Sequence, residues 1–300
     1  MMLIPFTKMV GAGNDFIVLD TVHDQLGALK TEWARVSRQL CNRHHGIGAD
    51  GTLVLERSNV GHVKMRIFNP DGSEAEMCGN GARCVAHFVQ AWPGHSNDTI
   101  VIETVGGIVS AKVHEKGVQM QMPEPRDVRF DLQFQIDPWA FRAAFLTVGV
   151  PHLVVPVKDL DLIDVNRVGK ALRAHPTFLP HGTNVNFTQV DSRDAGRIRV
   201  RTYERGVEAE TLACGTGAAA SAIVHGLVEP DLRTSKIQPR QRREQQVCRL
   251  EIETRSGDTL TVSFTVIIDG SGGRVTAVTL QGPAHVAFEG TFPWQPAEER

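Results

Sequence analysis

Arg66-Ile67-Phe68-Asn69-Pro70-Asp71-Gly72-Ser73-Glu74-Ala75-Glu76-Met77-Cys78-Gly79-Asn80-Gly81-Ala82-Arg83 is the stretch around which the chain is organised. It reads as a strand, a Pro-Asp-Gly turn, and a cysteine at the mouth of a helix. Gly79 and Gly81 carry no side chain to cover the first N–H groups of that helix, so an anion can sit there. The partial positive charge of a helix start also favours thiolate over thiol. A cysteine in such a place is a candidate nucleophile or base.

The pattern returns at Glu208-Ala209-Glu210-Thr211-Leu212-Ala213-Cys214-Gly215-Thr216-Gly217-Ala218. One Cys-Gly-x-Gly is weak, but two copies, each after a strand and before an apolar helix, indicate a duplicated fold with one thiol from each half. Cys41, Cys84 and Cys248 lack a glycine-rich helix start and read as core. Five cysteines without a Cys-x-x-Cys pair suit neither a disulfide framework nor a zinc site.

Composition narrows the function classes. A formal net charge of -2 and a pI near 6.6 speak against a nucleic-acid binder. The cluster Arg240, Arg242, Arg243 is interrupted by Gln and Glu and reads as a solvated loop. No apolar run is long enough for a membrane span, and Met1–Thr7 lacks the pattern of a signal peptide, so a cytoplasmic protein is expected. Gly46-Ile47-Gly48-Ala49-Asp50-Gly51 matches a dinucleotide fingerprint in letters only. Arg43-His44-His45 precedes it in place of a hydrophobic strand.

Each half reads β-β-α-β-β-α-β-β-β. In the first, strands are expected at Ile4–Met9, Phe16–Asp20, Thr52–Glu56, Val63–Asn69, Thr99–Thr104, Ile108–His114 and Val118–Met122. Its helices are one capped by Thr31 and one from Cys78 to about Trp92. After a link at Pro123–Arg129, the second half has strands at Phe145–Gly149, His152–Val157, Asn184–Val190, Arg197–Tyr203, Cys248–Thr254, Leu260–Ile267 and Val275–Gln281. Its helices are Val165–Ala174, capped by Asp164, and the one opened by Cys214. Gly215–Val224 is small or apolar on every face, as a helix enclosed by sheet requires. The expected fold is α/β of the α+β type, with two pseudo-symmetric domains, each a curved, mostly antiparallel sheet around a Cys-led helix. Lys236–Gln246 reads as a mobile insertion and Pro296–Arg300 as a frayed tail.

Other polar residues are ambiguous in isolation. His152, between Gly149-Val150-Pro151 and Leu153-Val154-Val155, fits equally a satisfied edge histidine and a group serving a neighbouring site. Glu204-Arg205 sits at a strand end just before the second anion hole, where binding the charged groups of an amino acid is favoured over a surface ion pair. Asn14 and Asn184 occupy a turn and a strand start, places Asn takes for local reasons too.

Lys8-Met9-x-Gly11-x-Gly13-Asn14-Asp15-Phe16, Arg43 to Asp50, Asn69 to Arg83, Gly149-Val150-Pro151-His152, Thr183-Asn184-Val185 and Tyr203 to Gly217 together resemble the diaminopimelate epimerases. That family interconverts LL- and meso-2,6-diaminopimelate without pyridoxal phosphate or metal, on the route to lysine and peptidoglycan. The resemblance implies an isomerase without cofactor acting on a small-molecule substrate. Charge and hydropathy predict no nucleic acid or membrane partner, and the sequence leaves the oligomeric state open, a homodimer among the options. The resemblance also implies lobes 1–129 plus about 285–300 and 130–284, with the last strand, about His285–Phe292, returning to the first lobe and the site in the cleft between them. Cys78 and Cys214 would be the two acid/base residues, with Gly79, Asn80, Gly215 and Thr216 holding the reacting carboxylate. His152 and Glu204 would keep the thiols in their working protonation states and contact the ammonium group. Asn14, Asn69, Asn184 and Arg205 would hold the substrate and its distal end. The chain departs from the family pattern at Gly51, where many members have Gln, and at Val150, where many have Asn. A proline or hydroxyproline racemase of the same fold is the alternative enzyme, and a regulatory Cys78–Cys214 thiol switch the alternative class.

Overall fold

The computed structural model describes residues 2–24, 26–30, 32–95, 99–228, 233–237, 244–269 and 272–295. The chain divides into two compact units, Met1–Met120 with Gly282–Arg300, and Gln121–Gln281. The expected divisions after residues 129 and 284 move to Met120/Gln121 and Gln281/Gly282. Residues 126–129, expected as part of a link, form one strand with 130–136.

In the first unit the strands are β1 (Met2–Gly11), β2 (Asn14–Asp20), β3 (Gly51–Glu56), β4 (Val63–Phe68), β5 (Glu74–Ala75), β6 (Thr99–Thr104), β7 (Gly107–His114) and β8 (Gly117–Gln121). Its helices are α1 (Trp33–Leu40) and α2 (Gly79–Gln90). The second unit holds β9 (Arg126–Ile136), β10 (Trp139–Val148), β11 (Val150–Pro156), α3 (Val165–Arg173), β12 (Asn184–Val190), β13 (Arg197–Glu204), β14 (Ala209–Thr211) and α4 (Gly215–Val228). It continues through β15 (Arg233–Ile237), β16 (Glu244–Glu253), β17 (Thr259–Asp269) and β18 (Gly272–Gly282), and β19 (His285–Trp294) closes the chain.

The duplication is literal in the pairing. In the first unit the order is β19–β1–β2–β3–β4–β6–β7–β8, with β2–β3 and β4–β6 parallel and the rest antiparallel. In the second it is β9–β10–β11–β12–β13–β16–β17–β18, with β11–β12 and β13–β16 parallel. Each unit thus has a strand ahead of its first hairpin that the sequence reading left out as an element of the repeat. In the second unit β9 directly precedes the hairpin, whereas in the first the chain returns at its end as β19 to pair with β1. The short strands β5 and β14 each fold back on the strand before them and deliver the chain to a cysteine.

Strands β2 and β3 of the first unit are buried on both faces, and alternation assigns each side chain. In β2 and β3, Phe16, Val18, Leu53 and Leu55 pack with Ala82, Val85, Ala86 and Val89 of α2. Ile17, Leu19 and Val54 pack with Trp33, Val36 and Leu40 of α1. Helix α1 is amphipathic, whereas α4 is buried without interruption from Gly217 to Gly226, as its composition required. Each such large apolar side chain taken from water contributes about 1.5–3 kcal/mol. Asp164 caps α3 by accepting the Arg167 N–H at 3.1 Å. Gly169 of α3 lies so close to the sheet that a Cβ there would stand 2.5 Å from that of Tyr203.

The Gly46–Gly51 run ties off the end of α1. The N–H groups of Ile47 and Gly48 both donate to the Leu40 carbonyl, and that of Ala49 donates to Cys41. Thr31, the expected cap, lies outside the described residues, as do Arg240, Arg242, Arg243 and 296–300. Of the expected insertion, 238–243 lie outside them, while its flanks pair as β15 and β16. Cys41, Cys84 and Cys248 are buried, and burial pushes the Cys84 thiol up to about 12. Among the described residues no helix is long and apolar enough to cross a membrane.

Candidate active site

The first half-site is built on the start of α2. Cys78 is its N-cap in an extended conformation, and its Sγ accepts the Gly81 N–H at 3.5 Å. The Gly79 and Asn80 amides belong to the first turn, whose N–H groups a helix cannot pair with itself. Gly79 opens on free space, and a Cβ at Gly81 would meet Leu53 Cδ2 at 3.0 Å. Cys78 is half-buried.

Behind this helix start runs a directed polar chain. Arg83 is fully buried in α2, and its Nη2 donates to Asn80 Oδ1 at 2.6 Å. A guanidinium only donates, so the other end of the Asn80 amide is the NH2 group, which donates to Asn14 Oδ1 at 2.6 Å. Asn14 Nδ2 in turn donates to Asp50 at 2.9 Å. Asp50 and Asp15 share Arg43, and Lys8 pairs with Asp15 at 2.8 Å while donating to the Gly48 carbonyl. Burial would raise Asp15, but hydrogen bonds from Arg43 and Lys8 outweigh it and hold the carboxyl at about 2. The structure therefore joins Asn14 to Asn80, 66 residues apart. Asn69 closes the turn into β5, with its Nδ2 on Ser73 Oγ at 3.0 Å and its carbonyl held by the Ser37 hydroxyl at 3.2 Å.

The second half-site is built on the start of α4. Cys214 directly precedes the helix, its carbonyl accepts the Ala218 N–H at 2.9 Å, and its Sγ lies 3.6 Å from the Thr216 hydroxyl. It is buried, at 8% exposure. Gly215 packs against Leu280, where a Cβ would come within 3.1 Å. A Cβ at Gly217 would stand 2.2 Å from Asn186 Oδ1 and 3.3 Å from Cys214 Sγ, so only glycine fits between them. Asn184 Oδ1 accepts the Arg205 backbone N–H at 2.7 Å, which fixes the turn after β13. The Arg205 side chain donates to the His181 carbonyl at 3.1 Å, and among the described residues it has no carboxylate partner. Burial raises the Glu204 carboxyl, and the Thr211 hydroxyl, donating at 3.0 Å, works against that rise.

His152 is fully buried, and Asn186 Nδ2 lies 3.1 Å from its Nδ1. Its Nε2 has no hydrogen-bond partner among the described residues. Burial, with the Arg205 charge added, holds the imidazole far down at about 3. His152 is therefore neutral at physiological pH and can act as a donor or acceptor there, not as a resident cation. A buried polar atom without a partner costs about 1–3 kcal/mol, so its presence calls for a specific explanation.

Asp50 and Arg83 stood inside quoted motifs without a role of their own, and Asn186 and Thr202 were not among the residues singled out in the sequence. A signal for them exists. Asn184, Asn186 and Thr188 alternate along one face of β12 opposite a helix of small residues, and Arg83 interrupts an otherwise apolar helix face.

The family model for diaminopimelate epimerase matches residues 6–128 and 144–259. A diaminopimelate epimerase of Aquifex aeolicus is 38% identical over 299 residues, covering 95% of this chain and 96% of that protein. One of Archaeoglobus fulgidus is 41% identical over 235 residues, covering 74% and 81%. Among solved structures, a phenazine biosynthesis protein of the PhzF family from Bacillus anthracis aligns with a TM-score of 0.66 at 16% identity, covering 98% and 100%. A hydroxyproline epimerase from Agrobacterium vitis aligns with 0.62 at 18%, covering 97% and 91%. At those identities the two structures show the fold alone. The family match and the full-length relatives show more: this chain belongs to the diaminopimelate epimerase family.

Proposed function

We propose that the protein is a diaminopimelate epimerase, interconverting LL- and meso-2,6-diaminopimelate with Cys78 and Cys214 as paired acid/base groups. The observation that carries this reading is the duplicated helix start, a cysteine followed by first-turn amides, built by the same strand order in each unit. One thiolate removes the α-proton, and the opposite thiol delivers its own proton to the other face. The sum is inversion at one carbon, with the thiol and thiolate exchanged.

The α-hydrogen is a very weak acid, so charge developing on the carboxylate must be stabilised. The amides of Gly79, Asn80, Gly215 and Thr216 and both helix dipoles supply that stabilisation. Neither cysteine motif contains a lysine for a Schiff base, so the reaction is assigned no pyridoxal phosphate. Arg205, a cation with no carboxylate partner among the described residues, takes the distal carboxylate. Asn14, Asn69 and Asn184 complete the binding of the long substrate, and Glu204 meets an ammonium group. The reading places the enzyme in the cytoplasm, on the route to lysine and peptidoglycan precursors.

A homodimer completes the proposal. Among the described residues β19 pairs with β1 alone, and its Val286 and Phe288 are 43% and 50% exposed, an edge suited to a second copy. Sedimentation equilibrium tests it, and a monomer at micromolar concentration contradicts it.

Chiral chromatography after incubation with LL-diaminopimelate, proline and hydroxyproline, side by side, tests the activity. Formation of meso-diaminopimelate alone is the expected result. Racemisation of proline or hydroxyproline in its place, or no turnover of any of the three, overturns the reading.

A further inference from the structure

We propose that Asn186 is a positioning residue that holds His152 with its proton on Nε2, so that the second half-site presents a fixed neutral N–H donor to its substrate. The inference rests on the epimerase reading only for what that donor serves.

The duplicated fold supplies its own control. The register pairs His152 with Asn184, and Asn186 with Thr202. The equivalent pairs in the first unit are Phe16 with Gly51, and Leu53 with Ile67. Gly217 abuts Asn186 just as Gly81 abuts Leu53. Where one unit packs Phe, Leu and Ile, the other buries His, Asn and Thr at 0%, 0% and 4% exposure. The apolar set shows that the fold needs no polarity at these positions, and burying polar groups costs stability unless each is matched.

The hydrogen bonds fix the direction of the set. The Leu153 carbonyl can only accept, and it lies 3.2 Å from Asn186 Nδ2. The amide NH2 therefore faces both Leu153 and His152, and Nδ1 of His152 must accept at 3.1 Å. The Thr202 hydroxyl donates to Asn186 Oδ1 at 3.0 Å and locks the opposite end. A neutral imidazole with an accepting Nδ1 carries its proton on Nε2, the atom without a partner among the described residues. Asn186 Oδ1 also occupies the space over Gly217 beside Cys214, so one amide sets both the tautomer and the helix start that carries the thiol.

The test is long-range proton–nitrogen NMR on the nitrogen-15-labelled protein at neutral pH, with His152 assigned by the signals lost in His152→Gln. The wild type is expected to show an unprotonated Nδ1 and a protonated Nε2. Asn186→Asp has nearly the same shape but can only accept, so the proton is expected on Nδ1. Its kcat with LL-diaminopimelate should fall by at least about tenfold, in the direction of the losses a wrong tautomer causes elsewhere, with KM changed far less. Thr202→Val should lower thermal stability and keep the proton on Nε2, which separates positioning from packing. A wild-type His152 protonated on Nδ1, or on both nitrogens, overturns the proposal even if no variant folds. So does Asn186→Asp with a moved proton and unchanged kcat. A wild type without epimerase activity overturns the proposed function, while the spectrum still decides where the proton sits.

Discussion

Gly81 and Gly217 occupy the same place in the two Cys-led helices, yet alanine should cost far more at Gly217 than at Gly81. At Gly217 the new Cβ would stand 2.2 Å from Asn186 Oδ1. An ordinary C···O approach is about 3.3 Å, so the amide must withdraw by about 1 Å. That amide is pinned at 3.0, 3.1 and 3.2 Å by Thr202, His152 and Leu153. One or two of these bonds are lost, at about 1 kcal/mol each. Overpacking adds about 1–3 kcal/mol, and the better helix propensity of alanine returns about 0.5–1 kcal/mol. The net expectation is a loss of about 1–4.5 kcal/mol. At Gly81 the nearest atom is Leu53 Cδ2 at 3.0 Å, the end of a rotatable side chain, so the same sum stays within about 1 kcal/mol of zero. Urea unfolding of both variants at a common m-value measures the difference, and epimerase assays should show the larger loss of kcat in Gly217→Ala. Equal stability and activity for Gly217→Ala and Gly81→Ala would refute the packing described around Asn186.

Two further outcomes are expected. Cys78→Ala and Cys214→Ala each abolish epimerisation while circular dichroism shows an intact fold, whereas Cys41→Ala, Cys84→Ala and Cys248→Ala retain turnover and lose about 1–3 kcal/mol of stability. A folded but inactive Cys84→Ala would reassign the thiol. Stability should also decline as pH falls below 6.5. His152 and His225 are held at about 3 and about 4 by burial, so between 6.5 and those values the unfolded chain binds protons that the folded chain refuses. Each such histidine contributes up to about 1.4 kcal/mol per pH unit, and Glu204, raised by burial, acts with the opposite sign. Urea midpoints from pH 7 to pH 5 check this, and a midpoint that does not fall on acidification would show that the two imidazoles are not held neutral.

The Cys-led helices were legible because their signal is local: glycine after cysteine, then small residues buried on every face. Strand β9 was not legible because it is an edge strand, exposed along most of its length, with Arg126, Asp127, Arg129 and Asp131 hiding any alternation. Strand β19 was placed by the family resemblance alone, since its pairing with β1 spans the chain. Asn14 looked like a turn residue, and its partner Asn80 lies in another element, beyond the reach of any local rule. Asn186 and Thr202 look like ordinary strand residues until the register places them opposite each other and against Gly217. Arg205 was singled out for its place at a strand end, which depends on the motif rather than on distant contacts.

The central claim is that two thiols act from opposite faces of one carbon, and hydrogen exchange with solvent tests it most directly. A thiol carries a single proton, so the abstracting group cannot hand a mixture of hydrogens to either face. In deuterium oxide the delivering thiol begins as S–D, while the abstracting thiol holds the original proton of the substrate. LL-Diaminopimelate followed by proton NMR and mass spectrometry at low conversion should give meso product deuterated at the inverted carbon from its first appearance. The remaining LL substrate should stay largely unlabelled. Product that retains its original α-proton in substantial amount would mean that one base serves both faces, and would break the assignment of Cys78 and Cys214 as opposed partners.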